Sequence, residues 1–213
     1  MTTLKRALLG AALSGVMGAH TAYGSALDQF NAFVASTKSA KGEFTQHQQV
    51  DAAHKPATKP APPSSGSFLF ARPGKFIWTY EKPYVQVLQS DGEKLYVYDK
   101  DLDQVTTRKL GDALGSSPAA ILFGNSDWNK NFTLRDTGPR DGLEWLEALP
   151  KAKDTNFDRI DMGMRDGVPQ AMELRDSFGQ TTILSFSKFT RNPPVAANTF
   201  QFVVPKGVDV LEQ

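Results

Sequence analysis

The sequence contains no cysteine among its 213 residues. This absence excludes disulfide bonds, a thiol nucleophile and a thiolate metal ligand. It also excludes a lipid anchor attached through a cysteine, so we expect the protein not to be membrane-anchored. The stability of the fold must therefore come from a packed apolar core, for which the chain is long enough.

An excess of charge of one sign is also missing. The chain has 24 basic and 23 acidic side chains, which gives a formal net charge of +1. We expect no nucleic acid as a partner, because binding to its phosphates requires a basic surplus. Histidine is scarce as well, and neither His47 nor His54 has a nearby pair of carboxylates in the sequence. We therefore expect no metal and no cofactor.

Motifs of catalysis are absent too. The sequence has no Gly-x-Ser-x-Gly segment and no Cys–His couple. Asp99, Asp101 and Asp103 alternate as in a calcium loop, but the glycine and the terminal glutamate of such a loop are missing. Asp158 and Asp161 fall on opposite faces of a predicted strand, which argues against a catalytic dyad. We expect no enzyme activity; a hydrolase on a β scaffold is the less favoured alternative.

Only one long apolar run is found, and it lies at the N-terminus. Ala7–Ala19 carries no charge, follows Lys5 and Arg6, and precedes the small residues Ala22 and Gly24. This pattern is typical of a secretory signal peptide. The run is too short for a membrane span, which needs about 20 residues. A buried N-terminal helix is the alternative.

The predicted signal peptide defines the domain organisation. We expect residues 1–24 to be removed and residues 25–213 to form one exported domain with net charge −1. Within this domain, residues 51–65 contain four prolines and are expected to form a loop inside one hairpin.

What is abundant is the alternation typical of β-strands. About ten short segments alternate apolar and polar residues, and turns such as Ser90-Asp91-Gly92 separate several of them. The last expected strand is Thr199–Val204. Ser25–Thr37 has the spacing of an amphipathic helix instead. We therefore predict one antiparallel sheet, in a barrel or sandwich, with a few helices.

A second, very short helix is predicted over Pro118–Phe123. Ser117 precedes it as an N-cap, Pro118 takes its first position and Gly124 ends it. Nearly all of its residues are apolar. Such a short helix has no stability of its own, so we expect it to lie on an apolar surface.

Aromatic residues concentrate on two neighbouring predicted strands, 66–71 and 75–81. They form either an ordinary core or the wall of an apolar hollow. Arg72 stands beside them, directly before Pro73. Its side chain either faces solvent at a strand end or reaches the backbone carbonyls of the short helix.

Four segments, in order along the chain, resemble the outer-membrane lipoprotein carrier family, LolA. Ala71–Trp78 (ARPGKFIW) is similar to the family's (K/A)RPxxFxW segment, and Leu88–Tyr98 is similar to its SDGxxLWxY hairpin. Ser117–Leu122 matches its lid region, and Gly207–Val210 resembles its C-terminal end. Together these matches are specific, although each alone is weak.

The resemblance implies a mainly β fold: an unclosed antiparallel β-barrel of about eleven strands, covered by short helices, around an apolar cavity. It assigns acyl-chain binding to cavity residues Phe68, Phe70, Phe76, Trp78, Tyr80 and Leu95. It assigns a lid, with Arg72 holding it closed, to Arg72, Pro118, Ala119, Ile121, Leu122 and Phe123.

The resemblance also implies a function and partners. The protein is expected to be a monomeric periplasmic chaperone in a Gram-negative bacterium that binds acylated lipoproteins. It takes them from an inner-membrane ABC-type release complex and delivers them to an outer-membrane receptor. A periplasmic lipid- or lipoprotein-sensing protein on the same fold is the alternative.

Overall fold

The computed structural model describes residues 24–49, 62–113, 118–123, 128–153 and 155–213. Some expected features lie outside these residues: nearly all of the signal peptide, residues 51–61 of the proline-rich loop, His54, and Ser117 and Gly124 as helix cap and stop.

Four helices and twelve strands are found in the described residues. The helices are α1 (Ala26–Ser36), α2 (Leu110–Ala113), α3 (Pro118–Phe123) and α4 (Trp128–Asn131). The strands are β1 (Ser39–Gln49), β2 (Ser64–Ala71), β3 (Lys75–Lys82), β4 (Gln86–Asp91), β5 (Lys94–Asp99), β6 (Gln104–Lys109), β7 (Phe132–Arg140), β8 (Leu143–Pro150), β9 (Phe157–Arg165), β10 (Val168–Asp176), β11 (Thr181–Arg191) and β12 (Asp209–Glu212).

All twelve strands belong to one sheet, in the order β12-β6-β5-β4-β3-β2-β1-β11-β10-β9-β8-β7. The end strands β12 and β7 do not pair with each other, so the barrel is unclosed, as predicted. Every pairing is antiparallel except that of β12, which runs parallel to β6. The sheet thus has twelve strands where about eleven were expected, and one of its pairings is parallel. β2 begins at Ser64, inside the stretch expected to be a loop.

The predicted strand Thr199–Val204 is wrong. The backbone there forms a turn and then an irregular segment. The ring of Phe202 stacks on Tyr96 with centroids 4.5 Å apart, and Phe200 is buried. The aromatic residues of this segment are thus anchored by side-chain packing on the sheet and not by a strand ladder. The last strand forms later, at β12.

The N-terminal helix α1 is found where the sequence predicts it. Ser25 is its N-cap, and the Ser25 hydroxyl accepts a hydrogen bond from the Asp28 N–H at 3.2 Å. The apolar side of α1, with Phe30 and Phe33, packs on the part of the sheet formed by β7–β10. No helix among the described ranges is long and apolar enough to cross a membrane.

Small residues stand opposite large ones on the inner face of the sheet. Phe44 on β1 pairs with Gly66 on β2, which pairs with Tyr80 on β3. A Cβ atom at Gly66 would lie 1.8 Å from the carbonyl oxygen of Thr79 and 3.1 Å from the Phe44 ring. The absence of a side chain at Gly66 therefore lets the aromatic rings of the neighbouring strands pack closely.

We expect Gly66→Ala to lower the free energy of unfolding by about 3 kcal/mol or more, because a backbone oxygen cannot move aside without separating β2 from β3. Urea unfolding measures this loss. Gly111→Ala is the matched control, since nothing lies within 4 Å of a Cβ placed at Gly111. Equal stability of the two variants would contradict the packing described here.

Candidate functional site

The six predicted cavity residues lie together on the concave side of the sheet. Five are almost fully buried, with at most 3% of their surface exposed: Phe68, Phe70, Phe76, Trp78 and Leu95. Tyr80 is partly buried against the same cluster, and its hydroxyl donates to the Gln46 side chain at 2.9 Å. The register explains the grouping, because Phe68 faces Trp78 and Phe70 faces Phe76 across the β2–β3 pair.

A residue of the predicted lid is inserted among these aromatic rings. The ring of Phe123, at the end of α3, stacks on Phe70 with centroids 4.3 Å apart and on Phe68 at 5.5 Å. Its distances to Phe76 and Trp78 are 6.4 and 6.1 Å. The short helix therefore fills the aromatic half of the interior with its own side chain.

The remaining lid residues accompany Phe123. Ala119, Ile121 and Leu122 are buried in the same apolar cluster, with 1 to 6% of their surface exposed. Pro118, at the first helical position, is half-buried. The expectation that α3 lies on an apolar surface is thus confirmed.

The opposite wall of the interior consists of flexible side chains that the sequence reasoning missed. Met162 and Met164 on β9 and Met172 on β10 are fully buried in the cluster. Ile160 and Leu174 stand beside them. Their period-two spacing within two predicted strands is the signal in the sequence that indicates them. Unbranched methionine adapts to irregular apolar partners.

A small cavity lies between α1, α3 and Arg72. The cavity bordered by α1, α3 and Arg72 has a volume of about 10 Å³, which admits about one water molecule. An acyl chain needs far more room than this. This cavity is therefore too small to hold an acyl chain with α3 in the position described.

Arg72 lies at the edge of this interior. Its Nε donates a hydrogen bond to the carbonyl oxygen of Thr37 at 3.2 Å. The guanidinium carbon is 5.2 Å from the centre of the Phe70 ring and 5.9 Å from that of Phe33. Burial lowers the pKa of Arg72. The Arg72 side chain therefore lies against these aromatic rings and does not project freely into solvent.

The hydrogen-bond partner of Arg72 is nevertheless not the one expected. Thr37 caps the C-terminus of α1, whereas the sequence led us to expect a bond to α3. The reason is geometric: β2 ends beside the start of β1, and Ala71 pairs with Ser39. Arg72 also borders the small cavity together with Leu122 and Phe123 of α3.

Asn192 forms a second set of hydrogen bonds at the junction of α1 and β1. The Asn192 Oδ1 accepts from the Lys38 and Ser39 N–H groups at 2.9 and 3.3 Å. Its Nδ2 donates to the carbonyl oxygen of Ser36 at 3.1 Å, one of the carbonyls that a helix end leaves unpaired. Asn192 has φ +52°, a conformation that asparagine tolerates better than most residues.

Hydrogen bonds also attach the N-terminal end of α1 to the rest of the protein. The Leu27 N–H donates to Asp136 Oδ1 on β7 at 2.8 Å, and the Gly167 N–H donates to the Gln29 side chain at 3.1 Å. Helix α1 is therefore attached to the sheet by hydrogen bonds near both of its ends. The contacts described for α3 are instead apolar.

The other polar candidates have ordinary structural roles. Asp99 accepts hydrogen bonds from the Asp101 and Leu102 N–H groups, as in a solvated turn. Asp161 forms an ion pair with Arg159 at 2.8 Å; burial raises the pKa of Asp161 despite this pairing. His47 is exposed. Within the described ranges, no three His, Asp or Glu residues are grouped to hold a metal ion.

Comparison with known proteins identifies the family. The family model described as "Outer membrane lipoprotein carrier protein LolA" matches residues 35–203, well over half of the chain. The chain belongs to this lipoprotein carrier family. The matched range includes both the aromatic wall and the short helix that fills it.

Relatives within the LolA family match nearly the whole chain. A protein named "Outer-membrane lipoprotein carrier protein" from Cupriavidus pinatubonensis is 57% identical over 215 residues, covering 98% of this chain and 99% of the relative. A relative of the same name from Cupriavidus taiwanensis is 57% identical over 192 residues, covering 90% of each chain.

A solved structure also resembles this fold. An uncharacterized conserved protein from Thermus thermophilus matches with a TM-score of 0.55 and 12% identity, covering 88% of this chain and 96% of that one. This likeness concerns the fold alone.

We expect Asn192→Ala to lower the free energy of unfolding by about 2 kcal/mol, because it removes three hydrogen bonds and places alanine at a positive φ. Asn192→Gly loses the same bonds without the backbone strain, so its loss should be smaller. Chemical denaturation monitored by circular dichroism measures both. An alanine variant as stable as the unmodified protein would show that the hydrogen bonds of Asn192 do not stabilise the junction of α1 and β1.

Proposed function

We propose that this chain is a periplasmic chaperone that carries lipoproteins by sheltering their acyl chains in the interior of the half-barrel. The observation that carries this proposal is the position of Phe123. The ring of Phe123, on a short helix, stacks on Phe70 and Phe68, which belong to the wall that we propose for the acyl chain. Family membership supports the same function, since the relatives are named lipoprotein carriers.

The energetics explain why a carrier is needed. Each acyl CH₂ removed from water contributes roughly 0.8 kcal/mol, so one long chain contributes on the order of 10 kcal/mol. A lipoprotein with exposed chains therefore does not cross an aqueous compartment freely. The interior replaces the membrane for that passage, with aromatic side chains on one wall and methionines on the other.

Helix α3 limits how tightly the cargo is held. Entry of an acyl chain displaces Phe123 and its neighbours, and the free energy lost there subtracts from the affinity for cargo. When the cargo leaves, α3 returns and recovers these contacts. Uptake and release thus need no bond to be made or broken in the cargo, and we propose that the protein is not an enzyme.

The cavity and lid assignments belong to this proposal. The cavity residues Phe68, Phe70, Phe76, Trp78, Tyr80 and Leu95 face the acyl chains once α3 has withdrawn. Arg72, which contacts α1 directly and borders α3, steadies the closed state. We further propose that the monomer receives cargo from an inner-membrane ABC-type release complex and delivers it to an outer-membrane receptor.

Phe123→Ala tests the proposed function. We expect the variant to bind a fluorescent long-chain fatty acid at least tenfold more tightly than the unmodified protein, because the internal competitor is gone. We also expect the empty variant to be less stable by about 3 kcal/mol, since a buried ring is deleted. Fluorescence titration and thermal unfolding measure the two effects.

Phe178→Ala is the matched control, because 83% of the surface of Phe178 is exposed, at a hairpin turn. It should change neither quantity. Failure of the unmodified protein and of Phe123→Ala to bind the fatty acid would refute the carrier function. Weaker binding by Phe123→Ala would show that Phe123 serves the cargo and does not compete with it.

Export is tested separately by N-terminal sequencing. Protein recovered from the periplasmic fraction of a Gram-negative host is expected to begin at or within a few residues of Ser25. Protein that retains Met1 and stays in the cytoplasm would contradict the proposed signal peptide.

A further inference from the structure

Arg72 has a donor group that its bond to α1 leaves unused. The Nη1 atom is buried, and no acceptor for it lies among the described residues. Buried polar groups in proteins are almost always hydrogen-bonded, and an unpaired one costs about 1–3 kcal/mol. An unpaired guanidinium N–H at the edge of an apolar interior therefore requires an explanation.

A second unused group lies beside it. Thr37, whose carbonyl oxygen accepts the hydrogen bond from Arg72 Nε, is only 1% exposed. Its hydroxyl Oγ1 is buried and likewise has no hydrogen-bond partner in the described part of the chain. Two neighbouring residues thus each bury a group that can donate a hydrogen bond.

The position of Arg72 relates this pair of groups to the cargo site. Arg72 borders the small cavity together with Phe30, Leu122 and Phe123. It also lies over the ring of Phe70, part of the aromatic wall. If α3 withdraws, it uncovers the aromatic wall on β2 and β3, and Arg72 stands at the edge of that wall. An acyl chain along that wall would bring its polar end close to Arg72.

We propose that Arg72 Nη1 and the Thr37 hydroxyl form a polar subsite that binds the carbonyl oxygens of the ester or amide groups joining acyl chains to a lipidated cysteine. This assignment rests on the proposed carrier function and adds the part of the cargo that is recognised. A carbonyl oxygen accepts hydrogen bonds and carries no charge, so it matches donors placed at an apolar boundary.

The chemistry of the two residues suits this task. Guanidinium retains its proton in proteins, so Nη1 remains a donor even though burial lowers the pKa of Arg72. An ester carbonyl carried into the interior without a partner would lose its hydrogen bonds to water. Pairing it with Nη1 satisfies two buried groups at once, which favours cargo with carbonyl-linked chains over plain alkyl chains.

The test compares two lipopeptides that differ only in that carbonyl. One carries two palmitoyl chains as esters on a glyceryl-cysteine; the other carries two hexadecyl chains as ethers. Competition against a bound fluorescent fatty acid gives both affinities. We expect the unmodified protein to bind the ester at least tenfold more tightly, as loss of a charge-assisted hydrogen bond implies.

Two variants separate recognition from a structural role. Arg72→Met removes the guanidinium donors, and the ester preference should fall about tenfold. Thr37→Val keeps the side-chain volume but removes the hydroxyl, and should reduce the preference by a smaller factor. If Arg72 only held α1 in place, its substitution would change the affinities for the ester and the ether lipopeptide by the same factor. The ratio of the two affinities would then stay the same.

The outcomes are distinguishable. Equal affinity of the unmodified protein for ester and ether, with both bound, overturns the subsite and leaves the carrier function standing. Failure to bind either lipopeptide refutes the carrier function itself. An unchanged ratio in both Arg72→Met and Thr37→Val also overturns the subsite. If Arg72→Met does not fold, the ratio in Thr37→Val decides.

Discussion

The contact between Phe123 and the aromatic wall determines what the rest of the structure can do. Stacking on Phe70 and Phe68 places one of the chain's own side chains against that wall. The empty protein thereby hides apolar surface that would otherwise attract water-insoluble material at random. Under the proposed carrier function, this contact must be strong enough to keep the interior closed and weak enough for cargo to displace it.

Helices α1 and α3 both cover the interior, but they are attached to the sheet in different ways. Helix α1 is joined to the sheet by directional hydrogen bonds through Asp136, Gln29, Arg72 and Asn192. The described contacts of α3 are apolar, and apolar contacts can be exchanged for those of an acyl chain with little regard to geometry. One helix held by hydrogen bonds and one held by apolar contacts thus cover the same concave surface. The methionines of the opposite wall can adapt to either occupant.

Much of this arrangement could be predicted from the sequence, because alternation and turn residues are local signals. The strands around Phe68 and Trp78, helix α1 and the apolar helix α3 follow from such patterns. The partner of Arg72 could not be predicted, since it depends on where the ends of β1 and β2 meet. The hydrogen bonds of Asn192 at the end of α1 could not be predicted either, because its partners Ser36 and Lys38 are distant in sequence.

The C-terminal region shows another limit of local patterns. Phe200 and Phe202 alternate as in a strand, but their rings are anchored on the outside of the sheet. Pattern alone does not distinguish packing against a sheet from membership in it. Parallel pairing of β12 with β6 was equally unpredictable, because it joins segments about a hundred residues apart.

The pairing of β1 with β11 governs when the molecule can assemble. β1 lies in the middle of the sheet, yet its neighbour on one side is β11, the last long strand to be synthesised, with Ala40 facing Arg191. Contacts between such distant segments form slowly, because a large loop must close first. The nascent chain therefore cannot complete its sheet until almost all of it is available. Under the export proposed above, that delay would give the unfolded chain time to cross the membrane before its sheet is complete.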